Sequence, residues 1–306
     1  MKRLNVLISL ITRDNDYQME QHTVAESTAQ SLDFNVKVIY AEKDAVNQSL
    51  QLVNAIQSPL GARPDAIIVE PTGTGMPQVA EAAARAGISW IMLNANVDYI
   101  PKIRKLGSPA AFGVNCDNEE VGHIQGEQFN VLLAHGGCVL YVEGPSTSDP
   151  CKKRAHGMLE RKRPDIVVKT LKGDWTEGGA YNAVNSWLKL TTSKDLHIGA
   201  IGCQNDAMAL GARKAVHDIV DNETRQSLLK LPLTGCDGVA GVGQLNVRRG
   251  NLAATVVVPA LTGPALQLLA ETMRTGVQPL ERTLVPAKSF PPIEELAIKF
   301  KAAASS

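Results

Sequence analysis

Polar side chains suited to binding without reacting gather in short runs directly after apolar, β-branched stretches. Thr12-Arg13-Asp14-Asn15-Asp16-Tyr17-Gln18 follows the first such stretch and Asn94-Ala95-Asn96 the fourth. Ser146-Thr147-Ser148-Asp149-Pro150-Cys151-Lys152-Lys153-Arg154 opens a helix in the second half. Asp174-Trp175, Gln204-Asn205-Asp206 and Cys236-Asp237-Gly238 follow later stretches. These are amides, carboxylates, a guanidinium and aromatic rings. A sugar hydroxyl donates and accepts at once, so planar Asp, Asn and Arg edges match adjacent hydroxyl pairs while an aromatic face covers the C–H side of the ring. The set is apt for a neutral polyol. Catalytic patterns are weak: the six histidines fall mostly in helical stretches or turns, without a nucleophile elbow or metal-ligand spacing. Thr72-Gly73-Thr74-Gly75 lacks the lysine and the glycine spacing of a phosphate loop. We therefore expect no enzyme, no cofactor and no metal.

The elements that must position these runs repeat one unit: an aliphatic strand, a turn, a helix. Strands are expected at Leu4 to Ile11, Asn35 to Tyr40, Ala66 to Val69, Trp90 to Asn94, Cys138 to Val142, Ile166 to Leu171, Ile198 to Cys203, Pro232 to Cys236 and Leu252 to Val258. Asp44 to Ala55, Met76 to Ala86, Glu119 to Leu133, Gly178 to Leu188, Asp206 to Val216 and Pro264 to Met273 carry apolar residues at i, i+3, i+4 spacing between them. Such alternation predicts an α/β fold with parallel sheets flanked by helices. The number of strands and the length of 306 residues suit two lobes of like plan, with a break near Pro109-Ala110-Ala111-Phe112-Gly113. In open parallel sheets ligands sit beyond the carboxyl ends of the strands, where the polar runs lie.

Composition narrows the partners. Lys plus Arg equals Asp plus Glu at 31 each, so no global field draws in nucleic acid or an anionic membrane surface. Met1 to Ile11 has a basic start and an apolar run, but Asn5 and Ser9 interrupt it and no small-residue cleavage site follows. It reads as a first buried strand, with no signal peptide and no segment long enough to span a bilayer. Cys116, Cys138, Cys151, Cys203 and Cys236 are odd in number and lack CxxC spacing, which predicts buried reduced thiols.

Three stretches, Gln204 to Ala212, Thr234 to Gly238 and Gly250 to Val256, carry a resemblance that extends from Val6 to about Pro286. The chain resembles the type I periplasmic solute-binding proteins for sugars, the ribose- and glucose/galactose-binding group, whose fold also forms the sensor core of lactose-repressor-like regulators. The resemblance implies two doubly wound parallel-sheet lobes joined by a three-strand hinge. The N-terminal lobe would be 1–115 plus 259–286 and the C-terminal lobe 116–258 plus 287–306, with the ligand cleft between them. It further implies capture of a sugar or sugar-like polyol by hinge closure, with a non-sugar polar metabolite as the alternative ligand, presentation to an ABC transporter permease or to a membrane sensor, a monomer, and a periplasmic location, against which the expected lack of a signal peptide leaves a cytoplasmic one open. No nucleic acid and no direct membrane insertion are expected, because a DNA-binding relative would need a helix-turn-helix segment ahead of the first strand.

Residue by residue, Asn15 and Tyr17 match first-loop residues that bind and stack on the sugar, and Asn94 matches a strand-end amide. Arg154, three before Gly157, matches the ligand arginine of the second lobe. Trp175 matches the sandwiching aromatic, Asn205 the amide of the Gln-Asn-Asp motif, and Asp237 the carboxylate beside the hinge. Where ribose-binding relatives carry Asp-Arg, this chain has Asn94-Ala95. Where relatives place an amide, it has Val258-Pro259, and that side is less polar than a plain pentose site. Asp149 or Lys152 could supply a replacement contact. Each residue also has a structural reading: Asn205 as a helix cap, Asp237-Gly238 as a turn, Trp175 packed on its own lobe, Arg154 solvated in a basic run, and Tyr17 as the first core contact of its helix.

Overall fold

The computed structural model describes residues 3–74, 76–190 and 197–304. Gly75 of the Thr72–Gly75 run lies outside the described residues, as do 1–2 of the expected N-terminal lobe and 191–196 and 305–306 of the expected C-terminal lobe. In chain order the elements are β1 (Asn5–Leu10), α1 (Asp16–Ser31), β2 (Asn35–Tyr40), α2 (Ala45–Gln57), β3 (Ala66–Val69), α3 (Pro77–Arg85), β4 (Ser89–Leu93), α4 (Ile100–Lys105) and β5 (Ala111–Cys116). Then come α5 (Asn118–Leu132), β6 (Gly137–Glu143), α6 (Asp149–Arg161), β7 (Ile166–Lys172), α7 (Glu177–Leu188), β8 (Ile198–Cys203), α8 (Asp206–His217), α9 (Asn222–Leu229) and β9 (Leu233–Asp237). The chain ends with α10 (Gly243–Arg248), β10 (Ala254–Val257), α11 (Thr262–Thr275), β11 (Arg282–Val285), β12 (Lys288–Phe290) and α12 (Ile293–Ala304).

Two compact units result. Unit 1 is Met1–Cys116 with Ala260–Val285, and unit 2 is Asp117–Pro259 with Pro286–Ser306. The chain therefore passes from one unit to the other three times. Unit 1 holds a six-stranded sheet of order β11-β5-β4-β3-β1-β2, parallel throughout. Unit 2 holds a six-stranded sheet of order β12-β10-β9-β8-β6-β7, in which only β12 runs antiparallel to its neighbour.

The central strands are apolar on both faces because helices cover both. Ile67, Ile68, Trp90, Ile91 and Phe112 are fully buried in unit 1, as are Val139, Leu140 and Tyr141 in unit 2. Each such side chain contributes about 1.5–3 kcal/mol by leaving water. All five cysteines are buried. The expected break at Pro109 to Gly113 is corrected: Ala111–Cys116 forms β5, buried along its whole length between β4 and β11, and the chain leaves unit 1 only after Cys116. Three strands escape the sequence reading, β5, β11 and β12, the last two being short strands at sheet edges.

Candidate functional site

In unit 1 the polar strand-end residues converge on Glu70, the residue immediately after β3, which is 5% exposed. Its Oε1 accepts from Asn94 Nδ2 at 2.9 Å and its Oε2 from Gln18 Nε2 at 2.9 Å, with Gln21 Nε2 at 3.5 Å. Asn94 stands just past β4 with φ of 51°, a left-handed conformation that Asn tolerates better than most residues. That conformation lets the same Nδ2 also reach Tyr17 Oη at 3.2 Å. Tyr17, in the first turn of α1, is 8% exposed, and Gln21 Nε2 donates to its hydroxyl at 3.3 Å. Asn15 is the N-cap of α1: its Oδ1 accepts from Gln18 N at 3.2 Å.

A buried ionised carboxylate can only accept, so every amide around it must turn its NH2 inward. Their oxygens find backbone donors on the other side. Gln18 Oε1 accepts from Ile11 N at 2.9 Å, and Gln21 Oε1 accepts from Leu261 N at 2.7 Å and Thr262 N at 2.9 Å. Burial pushes the Glu70 carboxyl above its ordinary value, and the hydrogen bonds from Asn94, Gln18 and Gln21 pull it back only in part. Glu70 and Gln21 are missing from the sequence reading, and Gln18 enters it only as the last residue of the first polar run, not as a site residue. The strand-end rule applied to β3 points at Glu70, whereas nothing local distinguishes the two glutamines from a solvated helix face.

Unit 2 gathers four candidates around Arg154. This guanidinium, on α6, is 7% exposed, which overturns its reading as a solvated residue in a basic run. Its Nε donates to Asn118 Oδ1 at 3.0 Å and its Nη1 to the Gln204 carbonyl at 2.6 Å, with Asp237 Oδ1 3.7 Å from Nη1. The guanidinium carbon lies 5.6 Å from the centroid of the Trp175 ring, within cation–π range. Trp175 has φ of 71° and Asp237, the last residue of β9, φ of 94°. Left-handed backbone costs a non-glycine residue on the order of 1–3 kcal/mol and gathers at functional sites. Gly144 makes room for the ring: a Cβ there would lie 2.3 Å from Trp175 Cζ2.

Asn205 has both roles open to it. Its Oδ1 accepts from Met208 N at 2.8 Å as the cap of α8, and its Nδ2 donates to the Trp175 carbonyl at 3.0 Å. Its neighbours are structural. Gln204 ties the β6–α6 loop by accepting from Gly144 N and donating to the Cys151 carbonyl, each at 2.9 Å. Asp206 accepts from Gly238 N at 2.8 Å and Thr255 Oγ1 at 2.7 Å, seated where Gly235 and Gly243 leave space. Asp149 is exposed and pairs with Lys153 at 2.7 Å, and Lys152 is exposed, so neither joins the Arg154 cluster.

Residues 6–261 match the family described as Periplasmic binding protein domain. The D-allose-binding periplasmic protein of Escherichia coli (strain K12) is 29% identical over 208 residues, 65% of this chain and 63% of that protein. The Xylitol-binding protein of Mycolicibacterium smegmatis is 26% identical over 228 residues, 72% of this chain and 58% of that protein. These matches thus span less than two thirds of either relative's length. Among solved structures, an ABC transporter periplasmic solute binding protein from Actinobacillus succinogenes 130z with bound D-allose superposes with a TM-score of 0.81 at 23% identity, covering 96% of this chain and 99% of that one. Fold, strand-end clusters and family match point the same way: the chain belongs to the periplasmic binding protein domain family.

Proposed function

We propose that the chain is a solute-binding protein that captures a neutral sugar or sugar-like polyol through Asn15, Tyr17 and Asn94 of unit 1 and Arg154, Trp175, Asn205 and Asp237 of unit 2. It then presents the ligand to an ABC transporter in the membrane. The observation that carries this reading is the Arg154 cluster: a buried guanidinium with the Asp237 carboxylate 3.7 Å away and the Trp175 indole in cation–π range, the Trp175 carbonyl in turn accepting from the Asn205 amide. That combination offers donors, acceptors and an apolar face for a pyranose or cyclitol ring. In unit 1 the Asn94 NH2 is committed to Glu70 and Tyr17, which turns its carbonyl away from the carboxylate as an acceptor for a ligand hydroxyl.

The relatives support the ligand class, since the proteins matched are named for D-allose and xylitol. Hinge closure on the ligand, a periplasmic location and a monomeric state belong to the same proposal. No helix among the described residues is long and apolar enough to cross a membrane.

A thermal-shift screen against pentoses, hexoses, inositols, amino sugars and amino acids tests this. Ligand at one hundred times its Kd stabilises the chain by about 2.7 kcal/mol, enough for a clear melting rise. We expect such a rise with one sugar or polyol, lost in Trp175→Ala and in Asp237→Ala. A rise with amino acids alone would sink the sugar assignment while leaving the fold in place.

A further inference from the structure

Helices α5 and α6 pack with their backbones in contact. A Cβ on Gly122 would lie 2.3 Å from the Arg154 carbonyl oxygen, and one on Gly157 would lie 2.1 Å from that of Glu119. The helices are therefore held at one fixed, close separation. On their exposed side each contributes a His–carboxylate pair four residues apart: Glu119 with His123 on α5, and His156 with Glu160 on α6.

Their side chains form a run of contacts across the helix pair, from Glu119 through His156 and Glu160 to His123. His156 Nδ1 is 2.6 Å from Glu119 Oε1 and 3.7 Å from Glu160 Oε2, and His123 Nε2 is 3.1 Å from the same Glu160 oxygen. The ligating atoms of Glu119, His156 and Glu160 all lie within 4.8 Å of one another. With Zn–N and Zn–O bonds near 2.1 Å, the ligands of a tetrahedral zinc stand about 3.4 Å apart. The observed spacings bracket that value, so an ion could seat with side-chain adjustments alone.

Charge favours it as well. Glu120 Oε2 lies 3.1 Å from His123 Nδ1, placing a third carboxylate behind the metal-facing side of that ring, the outer partner that ligating histidines generally have. Three carboxylates thus share two imidazoles.

We propose that Glu119, His123, His156 and Glu160 form a binding site for a divalent transition metal, Zn2+ by geometry and donor type, on the exposed face of the α5–α6 pair. The site is separate from the candidate sugar-binding residues and does not depend on that reading. Its position gives it a structural consequence. Glu119 follows Asn118, whose Oδ1 accepts from Arg154 Nε, and His156 lies two residues after Arg154, so a bound ion clamps together the two helices that hold this pair. A sequence reading that looks for His and Cys spacings misses the site, because each helix supplies one histidine and one carboxylate.

The test uses the full chain after chelator treatment and dialysis. Zn2+ is titrated calorimetrically at pH 7.5, and Co2+ by its visible absorption, which is intense only for low, tetrahedral-type coordination. We expect one ion per chain, a Co2+ spectrum of that type, and at least about tenfold weaker binding in each of His123→Ala, His156→Ala and Glu160→Gln. His217→Ala, on α8, serves as the control and should bind as the parent does. Circular dichroism shows whether each variant keeps its fold. No saturable binding, or equal binding by the parent and a folded His123→Ala/His156→Ala double variant, would overturn the proposal.

Discussion

The two units share a topology and place opposite charges at the centre of their polar clusters. In unit 1 the hub is a carboxylate, Glu70, accepting from the amides of Asn94, Gln18 and Gln21. In unit 2 it is a guanidinium, Arg154, donating to Asn118 and the Gln204 carbonyl beside Asp237. The hubs differ in what they leave for a ligand. Glu70 is enclosed, and its effect passes outward through the orientation of Asn94 and Tyr17. Arg154 stands against the Trp175 face and Asp237, two of the residues proposed to meet the ligand. On that proposal one unit positions its binding side chains from behind, and the other binds with its organising residue.

That difference is most easily broken at Arg154. Replacing it by Met keeps much of the side-chain volume but takes the cation from Asp237 and a donor from both Asn118 and the Gln204 carbonyl. Breaking a buried charge pair from one side costs about 3–5 kcal/mol. Urea unfolding of Arg154→Met should show a loss of that order, and ligand binding should vanish. A variant of parental stability would mean that the cluster is solvated and that Arg154 is no hub.

Glu70→Gln tests the other unit, with a smaller expected loss. The substitution turns an acceptor into a group whose own NH2 faces the amides of its neighbours, leaving a buried donor poorly satisfied at about 1–3 kcal/mol. It also removes a pH dependence of known sign. Burial raises the folded-state pKa of Glu70 above the ordinary 4.5, so between those values the folded chain holds a proton that the unfolded chain has released. The stability difference between parent and variant should accordingly be largest below pH 4.5 and shrink as pH rises through the raised value. A difference that grows with pH over that window would show that hydrogen bonding outweighs desolvation at this carboxylate.

The same contrast explains what could be read in the sequence. Strands with continuous aliphatic runs, such as AIIV in β3, announce themselves because burial on both faces demands them. In β5 the run is diluted by Gly113 and Asn115 and preceded by Pro109, and its residues look like a connecting loop until β4 and β11 pair with them. RTLV and KSF are too short to carry a period. The unit 2 cluster was legible because Gln204-Asn205-Asp206 and Cys236-Asp237-Gly238 sit at strand ends and match family motifs. The heart of the unit 1 cluster was not. Helix α1 buries Tyr17, Gln18, Gln21, Ala25 and Ala29, and no hydrophobic periodicity marks a face whose first turns are lined by glutamines. Their burial makes sense only once Glu70, 52 and 49 residues away, is in place to accept from them.

The smallest effect separates capping from binding at the two asparagines that do the same local job. Asn15 and Asn205 both cap a helix through Oδ1, and removing such a cap by Ala costs about 1 kcal/mol. Ser keeps an acceptor for the helix N–H but has no second polar group. Asn205→Ser therefore keeps the cap of α8 and loses the hydrogen bond from Nδ2 to the Trp175 carbonyl, which helps hold a residue at φ of 71°. Asn15→Ser keeps the cap of α1 and loses only what its NH2 offers a ligand. Asn15→Ser should unfold within about 0.5 kcal/mol of the parent, since the cap survives, while Asn205→Ser should lose about 0.5–1.5 kcal/mol with the bond to the Trp175 carbonyl. Their affinities should part: Asn205→Ser loses a ligand contact and the setting of the Trp175 ring together, and so weakens binding more than Asn15→Ser. If the two lose affinity equally, the Trp175 backbone is held without Asn205, and the second unit's ring is positioned by Gly144 and Arg154 instead.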